Sequence, residues 1–137
     1  MTDYLVDNSA WARLALGDPA ITARLHVIER TPSDLFVTCP PQVLEFCHSA
    51  RTPEEHARLR EQITLGFPLE IDPDESLVLD VQSALWNSGL IRAAGAVDIL
   101  IACYAIVNNA TVLCADHDFG YIAQATDLQQ EFIPPSR

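Results

Sequence analysis

Short, largely apolar runs alternate along this chain with longer segments that repeat apolar positions every three or four residues. The runs are Asp3–Val6, Leu35–Thr38, Thr111–Cys114 and Glu131–Ile133, and each reads as a strand. Helices are predicted between them at about 9–16, 19–29, 41–50, 53–65, 74–88 and 96–108. Proline marks where several begin. In Asp18-Pro19, Thr52-Pro53 and Asp72-Pro73 a residue able to cap a helix precedes a proline at the first helical position. Thr52-Pro53-Glu54-Glu55 and Asp72-Pro73-Asp74-Glu75 extend this into capping boxes. Pro40-Pro41 opens a helix running to about Ser49. Ile99–Val107 is a continuous apolar run, too long for an ordinary strand, and reads as a central buried helix. Short strands alternating with helices predict the α/β class: a short, mostly parallel sheet between two helical layers, forming one domain over residues 1–137.

Acidic residues interrupt this pattern at particular places. Asp7 directly follows the first strand, and Asp116 and Asp118 follow the third. In open parallel sheets ligands bind at the carboxyl ends of strands, so these acids are expected to converge. Glu45 lies one turn into the helix after the second strand, among Val43, Leu44 and Phe46. Asp98 lies near the start of the central helix, ahead of Ile99-Leu100-Ile101. A lone carboxylate in a segment otherwise fit for the core is unfavourable unless paired or bound to metal. Ordinary duties are available to each acid taken singly: Asp7 as a helix cap, Asp98 as a first-turn acid, Asp116 and Asp118 as turn residues.

Charge sharpens the picture. The net charge is −11 and the eight basic residues include no lysine. A phosphate-binding loop of the Walker type lacks its lysine, as do phosphotransfer sites that set a lysine beside an acidic pocket. Broad electrostatic binding of nucleic acid is disfavoured as well. Apart from Arg92 and His117, nothing basic lies near the acids in sequence. Converging carboxylates would therefore repel unless divalent cations lay between them, and Mg²⁺ or Mn²⁺ suits an oxygen-rich set. Such ions activate water toward a phosphodiester and stabilise the leaving oxygen. His117 is a candidate phosphate contact, whereas His26, His48 and His56 lack catalytic partners in the pattern. Cys39, Cys47, Cys103 and Cys114 show no metal spacing and read as buried small hydrophobes without disulfides. No run reaches the length of a membrane span and no secretory leader is evident, so a cytoplasmic protein is expected.

The motifs themselves resemble a known family. Val6-Asp7-Asn8-Ser9 resembles the opening motif of PIN domains, and Glu45 their second acid. Gly95-Ala96-Val97-Asp98-Ile99-Leu100-Ile101-Ala102 is similar to their third motif, and Val112-Leu113-Cys114-Ala115-Asp116-His117-Asp118-Phe119 to their fourth. Order and spacing resemble the VapC-like toxins of bacterial toxin–antitoxin pairs. The resemblance implies a PIN-like three-layer fold and Mg²⁺- or Mn²⁺-dependent cleavage of tRNA, rRNA or mRNA, leaving 5′-phosphate and 3′-hydroxyl ends. It implies Asp7, Glu45, Asp98 and Asp116 as metal ligands, Asp118 as a fifth catalytic acid and Ser9 as support for the first. It also implies a homodimer and a cognate VapB-like antitoxin.

An antitoxin helix would need an apolar groove. Trp11, Leu14 and Leu16, with Ile21, Leu25 and Ile28 and with Leu59 and Ile63, are candidates for lining one, against ordinary core packing. Trp86 is a candidate for either core or dimer contact. The alternative function is a PIN-like partner-binding module with weak or no catalysis, against which the complete acid set argues. A metal-dependent phosphatase or a DNA nuclease using the same carboxylates stands third.

Overall fold

A computed structural model describes residues 1–135. The elements run β1 (Asp3–Val6), α1 (Asn8–Ala15), α2 (Pro19–Glu29), β2 (Leu35–Thr38), α3 (Pro40–His48), α4 (Pro53–Ile63), β3 (Phe67–Pro68), α5 (Glu75–Asn87), α6 (Ala96–Val107), β4 (Thr111–Cys114), α7 (Asp118–Ala125) and β5 (Gln129–Phe132). The strands form one sheet in the order β3-β2-β1-β4-β5, with every neighbouring pair parallel. The chain winds outward from β1 through β2 to β3, then returns to β4 on the other side of β1. The reversal opens a crevice between the ends of β1 and β4, where a parallel sheet binds its ligands.

Period-two alternation assigns each strand residue to a face. Tyr4, Val6 and Leu113 join Ala10, Ile21 and Ile28 of α1 and α2 in one buried cluster. Leu5, Val112 and Cys114 join Leu85, Ile101 and Phe119 of α5, α6 and α7 in the other. The sheet is thus covered on both faces, as the alternation of short strands and helices predicted. α6 is the central buried helix expected of its apolar run: Ile101, Ala102, Cys103 and Ala105 are fully buried.

Asp18 caps α2 and Thr52 caps α4 as predicted, accepting from Ala20 N at 2.9 Å and from Glu55 N at 3.0 Å. The Glu55 carboxylate reaches Arg51 N at 3.4 Å, one residue before the cap. The third predicted start is displaced. Asp74, not Asp72, caps α5, accepting from Leu77 N at 2.8 Å. Both aspartates can cap; the one retained lets Asn108 hold the preceding segment by bonding both backbone groups of Ile71. α1 and α5 end at Gly17 and Gly89, whose φ of 79° and 75° lies in the left-handed region that favours glycine.

Two elements were absent from the sequence reading. β3 is two exposed residues joined to β2 through backbone bonds. It begins after Gly66, where an added Cβ would stand 2.9 Å from Thr38 Cγ2. α7 lacks a capping side chain and contains Gly120, so its local signals are weak. β5 spans Gln129–Phe132, starting earlier than the expected 131–133. All four cysteines are buried free thiols, as expected. No helix among the described residues is long and apolar enough to cross a membrane.

Candidate active site

β1 delivers Asp7 to the crevice, and the Asp7 amide donates to Leu113 O at 2.8 Å, tying the residue to β4 as well. The Asp7 side chain does cap α1: Oδ2 accepts from Ser9 N at 3.0 Å. That duty accounts for one oxygen. The residue is 3% exposed, and Oδ1 is buried with no hydrogen-bond partner among the described residues. An orphaned buried carboxylate oxygen is unfavourable in a folded protein and points to a ligand.

Side chains brace this corner. The Ser9 hydroxyl accepts from Ala115 N at 2.9 Å, closing the turn after β1 onto the end of β4. Gln42, 2% exposed, donates from Nε2 to Val6 O at 2.6 Å and accepts at Oε1 from Cys39 N at 3.3 Å. The amide therefore fixes the start of α3 against the last residue of β1. Glu45 follows Gln42 by three positions and shares its side of the helix. Asp98 is the third residue of α6, and Asp116 accepts at Oδ1 from Asp118 N at 3.2 Å where β4 passes into α7.

The charges of these acids act on one another. Burial pushes the Asp98 carboxyl up to about 8, aided by its hydrogen bond with Asp118 and by the charges of Asp7, Asp118 and Asp116. Burial raises Glu45, with further upward pushes from Asp7 and Asp116. Asp116 is raised by burial and by Asp7, against the lowering effects of the Asp118 amide and of His117. Among the described residues, no positive charge is a cause of the shift at Asp98 or Glu45. Arg13 is engaged with Asp18 at 3.2 Å and Ala115 O at 3.5 Å, and Arg24 with Glu131 and Tyr4. Burial raises the thiols of Cys39 and Cys114 to about 12 and Cys103 to about 11, so none is a thiolate nucleophile at neutral pH.

Among the described residues, no three His, Cys, Asp or Glu side chains stand as a ready-made metal cage. The acids instead satisfy one another locally, Asp98 through the shared bond with Asp118 and Asp116 through the Asp118 amide. The donor chemistry still fits a hard divalent cation: carboxylate oxygens from four elements, one of them orphaned, with no arginine or lysine among the described residues set between them.

The PIN domain family model matches residues 4–125. The chain belongs to the PIN-domain family. It is 33% identical over 135 residues to Ribonuclease VapC21 of Mycobacterium tuberculosis, spanning 96% of this chain and 94% of that protein. Its fold is similar to that of VapBC2 from Rickettsia felis, solved bound to a promoter DNA fragment, with a TM-score of 0.71 and 18% identity. That match covers 98% of this chain and all of the other. VapBC-1 from nontypeable Haemophilus influenzae has a TM-score of 0.68 and 24% identity, covering 96% of this chain and 98% of the other.

In this PIN domain the five acids expected from sequence fall at one sheet edge. Ser9 acts differently from the simplest expectation, supporting Asp7 through its amide while its hydroxyl holds β4. Gln42 was missed. Its sequence signal, a polar residue in an apolar stretch at the third helical position, was visible, but its partner Val6 lies 36 positions away.

Two apolar cavities of about 280 Å³ lie elsewhere, both lined by Trp11, Gln62 and Ile63, the second also by Leu14, Phe46 and Leu59. Trp11, Leu14, Leu59 and Ile63 thus line a groove as anticipated. Ile21 and Ile28 do not, because both are core residues, and Leu25 packs against that same core. Leu16 lies beyond the end of α1 and is 85% exposed. Trp86 is 39% exposed on α5 and so is not core. His26, His48 and His56 are exposed, away from any catalytic arrangement.

Proposed function

We propose that this protein is a metal-dependent endoribonuclease acting as the toxin of a toxin–antitoxin pair. The observation that carries the reading is the meeting of Asp7, Glu45, Asp98 and Asp116 at the crevice between β1 and β4, with Asp7 Oδ1 orphaned. The resemblance to a ribonuclease across nearly the whole chain supplies the substrate class.

Asp7, Glu45, Asp98 and Asp116 would hold Mg²⁺ or Mn²⁺, with Asp118 alongside. When bound, the ion supplies an activated water and charge stabilisation at the phosphodiester. The chain's residues prepare for this. The Ser9 amide fixes one Asp7 oxygen and leaves the other aimed into the crevice. Gln42 sets the height of Glu45 relative to β1. Asp98, hydrogen-bonded with Asp118 while protonated, would offer its carboxylate to the ion once deprotonated.

The Trp11 groove is the proposed seat of an antitoxin segment. Trp11 Nε1 is buried there without an acceptor among the described residues, which favours a partner that brings one. Pairing of two copies belongs to the same proposal, with Leu79 and Trp86 exposed on α5 for such a contact. Purified protein freed of partner is expected to cut single-stranded RNA with Mn²⁺ or Mg²⁺, leaving 5′-phosphates, and Asp98→Asn is expected to be inactive. Absence of cleavage by wild type with either ion would sink the enzymatic reading and leave the partner-binding module.

A further inference from the structure

The outer face of α7 holds a set of residues that neither the fold nor the acid site explains. His117 is exposed, and its ring stacks on Phe132 at the end of β5, with centroids 4.6 Å apart and planes 30° apart. This contact fixes the plane of the imidazole and leaves it exposed at the rim. Tyr121 stands one helical turn further on and is 37% exposed. Gly120 and the exposed Gln124 stand three and seven positions after His117, on the same face.

Gly120 is the telling residue. Its φ is not positive, and a Cβ built there would meet nothing within 4 Å. Neither backbone conformation nor packing requires glycine, although glycine weakens a helix interior. What the missing side chain provides is a bare strip of helix beside His117 and Tyr121, one turn after Asp116.

We propose that this face binds one unpaired nucleobase of the RNA strand beside the scissile phosphate, stacked against His117 and Tyr121 over Gly120. The Gln124 amide is placed to meet the base edge. The proposal rests on the ribonuclease reading for the identity of its ligand. Chemistry favours a base over a phosphate here: the face carries no arginine or lysine, in a chain whose net charge is −11, whereas stacking depends on no net charge.

The experiment compares wild type, Gly120→Ala, Tyr121→Ala and Tyr121→Phe. Binding of a fluorescein-labelled 12-nucleotide single-stranded RNA is read by anisotropy, cleavage of the same RNA with Mn²⁺ by gel, and folding by thermal melting. Gly120→Ala is expected to melt about 2–4 °C higher, because alanine favours the helix and has room. It is nevertheless expected to bind about tenfold more weakly, with kcat little changed. Tyr121→Ala should weaken binding similarly and Tyr121→Phe should restore it. A helix that matters only structurally cannot give a more stable protein that binds worse. Wild-type cleavage with equal RNA affinity in Gly120→Ala and Tyr121→Ala overturns the nucleobase site alone. Binding that responds to both variants without any cleavage overturns the ribonuclease reading alone. No RNA binding by wild type overturns both.

Discussion

Asp98→Asn separates the folding role of the acid cluster from its function. The Asp98 carboxyl is pushed up to about 8, principally by burial and then by Asp118, Asp7 and Asp116. An unfolded chain releases that proton near the ordinary value of 3.8. The folded state therefore binds the proton more tightly, and stability falls as pH rises through the window from about 4 to about 8. Fully shielded, such a span would correspond to roughly 6 kcal/mol; with the residue only part-buried, screening leaves roughly 2–3 kcal/mol. Asparagine removes the titration and can still donate to Asp118. In EDTA, Asp98→Asn and wild type should agree within about 1 kcal/mol near pH 5, and the variant should be about 2–3 kcal/mol more stable at pH 9. Urea denaturation followed by circular dichroism measures both. With Mn²⁺ at a hundred times its Kd, wild type should gain about 2.7 kcal/mol that the variant lacks. A stability difference that does not change between pH 5 and 9, or a variant less stable at pH 9, would refute the assignment of Asp98 as a carboxyl strained by burial among like charges.

The same proton predicts the pH dependence of cation binding. Mn²⁺ affinity should rise about tenfold per pH unit below about 8 and level off above it; calorimetry in buffers of different ionisation heat should detect one proton released. Gln42→Ala should lose about 2–4 kcal/mol in urea denaturation, because it strips partners from the Val6 carbonyl and the Cys39 amide. Its Mn²⁺ affinity should fall too, since Val6 positions Asp7. Ser9→Ala should lose about 1–2 kcal/mol through the unpaired Ala115 amide, again with weaker Mn²⁺ binding.

Much of this molecule is local enough to be read along the chain. The apolar run of α6 is too long for a strand and too uniformly buried to be anything but a central helix. Asp18 and Thr52 cap because capping needs only a side-chain oxygen and an amide two or three residues away. Asp7, Asp98 and Asp116 stand out because carboxylates are rare beside such runs, and because parallel sheets place strand ends together. Where two local solutions are equally good, the sequence leaves the choice open: Asp72 and Asp74 are both competent caps, and Asn108, 37 positions from Ile71, favours the second.

Tertiary structure decided what depends on distant partners. β3 consists of two residues whose strand character comes from hydrogen bonds to β2. α7 forms without a capping side chain because Phe119 and Ile122 are fully buried against the sheet. Ile21 and Trp11 are both apolar residues on neighbouring helices, but Ile21 is sealed in the core and Trp11 opens onto a groove. Only the tertiary packing distinguishes them: Trp11 meets Phe46 of α3 across the groove, while Ile21 is turned to the sheet. The sequence by itself determined which residues are acidic and where the longer strands and helices other than α7 lie, since both are matters of chemistry and short-range periodicity. It could not determine that one oxygen of Asp7 is satisfied by Ser9 and the other orphaned. That difference arises where β1 and β4 meet and bury the carboxylate, leaving that oxygen no hydrogen-bond partner among the described residues.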